Sequence, residues 1–143
     1  MLGKGTNIMK IKIENNGIYF EEYLEILNNN DKGEKGSFIY FLHEKNIFEI
    51  KAFWEYYDCL ISITKKSKYT TLDREISKKI FRTYSYVLKS TIYHLIENDC
   101  LEIKEFPTEK IGKFIERLEV VIEGYFGGYL INEENFDDDL TKQ

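Results

Sequence analysis

The sequence predicts a mostly helical α+β domain, about four helices packed with a small sheet of short strands. Two observations lead there. Apolar residues recur at spacings of three and four through the longest segments, 47–64, 72–97 and 109–125, the period of a helix with one buried face. Shorter stretches either alternate with period two or run apolar for the length of a strand. A chain of 143 residues has the size of one domain and buries roughly two-thirds of the surface its unfolded form exposes. Its 43% hydrophobic and 31% charged residues are those of a folded chain. No repeat, linker or shift in composition divides it, so residues 1–143 read as a single domain.

Taken in order, residues 1–8 precede Met9, which opens MKIKI as a natural start; they read as a disordered or tag-like extension and stay outside the fold reasoning. Met9, Ile11 and Ile13 alternate with Lys10 and Lys12, the pattern of a half-buried strand, and Asn15-Asn16-Gly17 is turn chemistry. Phe20, Tyr23, Leu24 and Leu27 make a short amphipathic helix over 18–28. The polar run 28–36, with Gly33 and Gly36, is the clearest loop. Residues 37–42, SFIYFL, fit either a strand or a buried helical piece, because periodicity does not separate the two.

Ile50, Phe53, Trp54, Tyr57, Leu60, Ile61 and Thr64 form one face of a helix over 47–64. After a loop at 65–71, Ile76, Ile80, Tyr84, Val87, Leu88, Ile92 and Leu95 form the stripe of the longest helix. Thr70 or Thr71 caps it, and Asp73 and Glu75 stand where the helix dipole favours anions. Residues 101–103 are a short extended piece. Thr108, after Pro107, caps a last helix over 109–125, whose inward residues are Ile111, Phe114, Ile115, Leu118, Val121, Ile122 and Tyr125. Gly124, Gly127 and Gly128 stop it. Tyr129-Leu130-Ile131 reads as a further strand, and 132–143 as an acidic tail.

Chemistry is thinly represented. The glycines form no phosphate loop or dinucleotide fingerprint, and there is no G-x-S-x-G elbow or H-E-x-x-H helix. Cys59 and Cys100 stand apart from each other and from any ligand spacing, so neither a metal nor a cofactor is expected; isolated cysteines fit a reducing cytoplasm. No segment approaches the roughly 20 apolar residues of a membrane span. The remaining catalytic option pairs His94 with Cys100 or a glutamate. Glu116 with Glu119, or Glu119 with Glu123, share a helical face, but Lys113 and Arg117 lie close enough to make solvent-facing pairs; Glu116 and Arg117, flanking Leu118, also fit a structural polar pair.

Charge says more. The net charge of −5 is segregated: residues 65–96 hold eight basic and two acidic side chains, and residues 97–143 hold five basic and thirteen acidic. Glu133, Glu134, Asp137, Asp138 and Asp139 cluster around Phe136. Carboxylates around a ring suit a basic protein surface, charge steering the encounter and the ring supplying the desolvated contact. The basic stretch, Lys65, Lys66, Lys68, Arg74, Lys78, Lys79 and Arg82 with Tyr69, offers a stripe for nucleic acid, against which stands the overall acidity, a pI near 5.2.

Two stretches, SFIYFLHEKNIFEIKAFWEYYDCLI (37–61) and IYHLIENDCLEIKEFPTEKIGKFIERLEVVIEGYFGG (92–128), resemble the small immunity proteins of bacterial polymorphic and contact-dependent growth inhibition toxin systems. The likeness rests on Leu42, Glu44, Phe53-Trp54, Tyr93-His94, Pro107, Glu116-Arg117-Leu118 and Gly124-Tyr125-Phe126. It implies a non-enzymatic cytoplasmic protein that binds a cognate toxin domain, often a nuclease with a basic groove, and blocks it. The expected partner-binding residues are Glu133, Glu134, Phe136, Asp137, Asp138 and Asp139, with Glu116, Glu119 and Glu123 as a second patch; no interface residue carries over from the family. The alternative is a small nucleic-acid-binding regulator using residues 65–82.

Overall fold

The computed structural model describes residues 20–96 and 102–142. Among these residues five helices follow one another: α1 Phe20–Lys32, α2 Phe38–Tyr40, α3 Ile50–Ser67, α4 Arg74–Leu95 and α5 Ile111–Gly127. A π-helical turn, Phe41–Lys45, continues α2, and a short 3-10 turn, Glu133–Asn135, follows α5. No described helix is long and apolar enough to cross a membrane.

The small sheet expected from the sequence is not there: among the described residues there is no strand, only one isolated parallel bridge between Ile47 and Lys104. The expected strand at 9–13 lies outside the described residues. SFIYFL is helical because Ser37 caps it, its Oγ accepting from the Tyr40 N–H at 3.1 Å. The buried Asn30 also accepts from the Ile39 N–H at 3.1 Å. Residues 129–131 are irregular, turned back over α5 by Gly128 at φ +81° and by the Tyr129 N–H bonding to the Gly124 carbonyl at 2.9 Å.

α3 is the central helix, packed against α1 on one side and α5 on another, while α4 lies across α1 and α5. That placement buries Ala52, Tyr56, Cys59 and Ile63 in addition to the expected Phe53, Trp54, Tyr57, Leu60 and Thr64, since a helix flanked on several sides is apolar around most of its circumference. Phe38, Phe48, Phe53, Trp54 and Phe114 form a chain of ring contacts with centroids about 5–6 Å apart, mostly edge-on, the geometry aromatic pairs favour. The buried hydroxyls of Tyr56 and Thr83 share a 2.5 Å hydrogen bond that ties α3 to α4.

α1 runs five residues further than its apolar pattern, through Asn28–Lys32, because Asn28 and Asp31 have partners on α4. The Asn28 side chain accepts from Lys79 and the Asp31 carboxylate from Arg82 at two nitrogens. Beyond α4, the chain returns through Ile103, whose N–H donates to His94 Nδ1 at 3.0 Å, and the His94 ring lies over Phe106 at 3.9 Å between centroids.

Candidate functional site

α5 presents its expected apolar face to the core, with one polar intruder. Arg117 stands on the buried side, its side chain 6% exposed. A buried guanidinium needs acceptors for its fork of donors, and the acidic tail supplies them. Nε and Nη2 donate to Asp138 at 2.7 and 3.0 Å, and Nη1 to Glu133 at 2.6 Å. The Tyr57 hydroxyl accepts from Nη1 at 3.3 Å and donates to Glu133 at 2.7 Å. The guanidinium also lies 4.1 Å from the centre of the Phe136 ring and 5.7 Å from that of Trp54, within reach of cation–π attraction. Trp54 Nε1 is the one buried side-chain polar atom without a hydrogen-bond partner among the described residues.

Residues 133–140 therefore form a strap laid over α3 and α5. Phe136 and Leu140 pack against the core, Lys113 and Lys110 hold Asp139 at 2.9 and 3.7 Å, and Lys142 bonds Asp58 at 2.7 Å. Ionisation follows this geometry. Burial works against charge on Arg117, but the hydrogen bonds to Asp138, Glu133 and Tyr57 outweigh it, and its pKa rises. Asp138 falls below the usual carboxylate range through its bond from Arg117, and Asp139 through its bond from Lys113. Burial pushes Glu133 up, yet the bonds from Tyr57 and Arg117 bring it down on balance. Tyr57 is pushed up by burial and by donating to Glu133.

The structure thus divides the sequence-predicted binding residues. Glu133, Asp138, Asp139 and the Phe136 ring are engaged within the molecule rather than displayed around an exposed ring. Glu134 and Asp137 face solvent at the strap's edge. Glu116 does not pair with Arg117, which takes its carboxylates from the strap; Glu116, Glu119 and Glu123 are all exposed on α5. At 100° per residue, Glu119, Glu123 and Phe126 share one outward face and Phe126 is half-exposed; Tyr129, turned back at the end of the helix, is exposed against Gly127, on the other side of Glu123. Glu119 lies near enough to Tyr84 of α4 to raise its pKa after burial has done the larger part. The free carboxylates and rings therefore meet on the outer, C-terminal half of α5.

In the basic stretch, Arg82 is bound to Asp31, Lys79 to Asn28 and Lys78 to Glu75, while Lys68 sits over the Tyr69 ring at 5.2 Å. Both histidines are engaged through Nδ1, His94 as described and His43 with the Tyr86 hydroxyl at 2.7 Å. The proposed partnership of His94 with Cys100 lies outside the described residues. Cys59 is fully buried, and burial raises its thiol well above the ordinary value. No group of three or more His, Cys, Asp or Glu that could hold a metal occurs among the described residues. Compared with known families, curated proteins and solved structures, the chain matches none of them.

Proposed function

We propose that this chain is an immunity protein, which binds a basic toxin domain of its own cell in the cytoplasm and blocks it without catalysis. The observation that carries this reading is the row formed by Glu119, Glu123 and Phe126 on the outer face of α5, with Glu116 one turn before it and Tyr129, seated against Gly127, on the other side of Glu123. It joins negative charge, which speeds encounter with a basic groove, to half-exposed rings, which supply desolvated contact area. The resemblance of residues 37–61 and 92–128 to immunity proteins supports the same reading. Of the acids first assigned to the interface, Glu134 and Asp137 stay exposed on the strap, while Glu133 and Asp138 are bonded to Arg117. The alternative, a nucleic-acid-binding regulator, has weaker support because three cations of the basic stretch, Lys78, Lys79 and Arg82, already have partners within the molecule.

The reading predicts a toxin-like open reading frame beside this gene, and the test is co-expression with it. Wild type should rescue growth and co-purify with the toxin. Phe126→Ala should weaken the complex by about tenfold or more, as a central aromatic contact does. Glu119→Lys with Glu123→Lys should slow association and remove its salt dependence. Undiminished toxicity in the presence of folded wild-type protein refutes the proposal.

A further inference from the structure

The outer face of α4 is apolar where a helix of an isolated domain would be polar. Ile80, Thr83, Val87 and Ser90 face the core. On the opposite side Phe81, Ile92, Leu95 and Ile96 are 67%, 55%, 56% and 46% exposed, with the half-buried Leu88 between them. Phe81, Leu88, Ile92 and Leu95 lie within a narrow sector of the helix, Ile96 follows at its end, and together they extend for about 22 Å at 1.5 Å per residue. Exposed apolar patches of this kind mark contact surfaces. Beside Phe81, at the edge of α2, a cavity of about 320 Å³ opens between Ile39, Arg82, Ser85, Tyr86 and Lys89, large enough for one bulky side chain.

Charge selects the occupant. Arg74 and Lys89 border the stripe and are exposed, while Lys78 is held by Glu75. The acids of this helix start are spent locally, Asp73 on the N–H groups of Glu75 and Ile76 and Glu75 on Lys78. A second copy across a two-fold axis would bring Lys89, near the middle of the stripe, towards its own equivalent. Residues 1–19 carry Lys4, Lys10 and Lys12 against Glu14, a net charge of the sign this border disfavours. Nucleic acid has no use for Ile92, Leu95 and Ile96, and the guanidinium of Arg82 is already committed to Asp31.

We infer that this face docks an amphipathic helix of another protein whose apolar stripe is flanked by carboxylates, with one large apolar side chain seated beside Phe81. Apolar anchors at helical spacing are how a helix lies on such a surface, and opposite charge on its borders sets partner choice. This surface and its partner are distinct from the acidic α5 row and do not rest on the immunity reading.

The full chain would be titrated against fluorescein-labelled amphipathic peptides of about 18 residues, identical in their leucine stripe and flanked by Glu, Gln or Lys. The Glu peptide should bind best and the Lys peptide worst, with the Glu peptide weakening as salt rises. Phe81→Ala and Ile92→Ser should each weaken it about tenfold or more. Lys89→Glu should weaken the Glu peptide and strengthen the Lys peptide. Binding that ignores the flanking charge, or no binding of any peptide, overturns the inference. So does a wild-type dimer that Ile92→Ser dissociates, or an Ile92→Ser unfolding midpoint lowered by more than about 5 °C, since an exposed residue replaced by serine costs little unless the chain itself already covers it.

Discussion

Replacing Arg117 with methionine keeps most of the side chain's volume and removes its charge. The guanidinium and the Asp138 carboxylate are 6% and 5% exposed, and breaking a buried pair by removing one partner costs about 3–5 kcal/mol, because the other is left in low dielectric without compensation. Here the abandoned carboxylates sit on a mostly irregular strap beyond α5, which can lift into water and rehydrate them. That relief places the loss near the lower end, about 3 kcal/mol, or roughly 10 °C in unfolding midpoint for a domain of this size. It also separates two observables. Urea unfolding followed through Trp54, the only tryptophan, should report the global loss. Hydrogen exchange should show amides of 133–140 losing protection while those of α3 keep it below the transition. Arg117→Lys retains the charge without the planar fork and should fall between the two. In a double-mutant cycle, Arg117→Met with Asp138→Asn should show a coupling of about 1–3 kcal/mol. An Arg117→Met variant that loses less than about 1 kcal/mol and leaves the strap's exchange unchanged refutes this account; Phe136 and Leu140 would then be holding the strap by packing alone.

Acid should release the same strap. Asp138, Asp139 and Glu133 are held below the ordinary carboxylate range in the folded state, so the stabilisation is complete above about pH 4 and is lost as pH falls through their folded values; exchange of 133–140 measured down to pH 3 should rise before global unfolding, and an unchanged strap would contradict the assigned bonds. Gly124→Ala would drive a Cβ into the carbonyl oxygen of Tyr129 and should cost about 1–3 kcal/mol, whereas Gly112→Ala meets open space and should gain up to about 1 kcal/mol in helix propensity; chemical denaturation of the pair checks both signs. Cys59, buried with its thiol pushed up, should resist alkylation at pH 8 in the native state, as peptide mapping would show; labelling as fast as in urea would mean that α3 opens readily.

Where hydrophobic period was long and unbroken, the sequence was legible. The stripe of α5, from Phe114 to Tyr125, is buried as its spacing requires, and α3 begins and ends close to where its pattern does. Short segments were not, because their state is decided by partners remote in sequence. Residues 37–42 are helical through Ser37 and the buried Asn30, and residues 28–32 are helical through Lys79 and Arg82; no local pattern reveals either link. The extra buried residues of α3 reflect its central position, and Ile92 and Leu95 of α4 have the spacing of core residues yet lie on its open face. The acidic cluster was visible in composition, but its bonds within the fold were not, for a definite reason. A buried arginine looks like any helical arginine in sequence, and nothing local announces that Arg117 takes two carboxylates from the strap. With those acids accounted for, the free ones on α5, also named from the sequence, became the candidate contact.

The order in which the rings of the core become available has a consequence for biosynthesis. Phe38, Phe48, Phe53 and Trp54 leave the ribosome well before Phe114, the ring that touches Phe48, Phe53 and Trp54. Until α5 has emerged, the nascent chain holds a cluster of aromatic side chains open on one flank, the kind of surface on which chaperones act and aggregates begin.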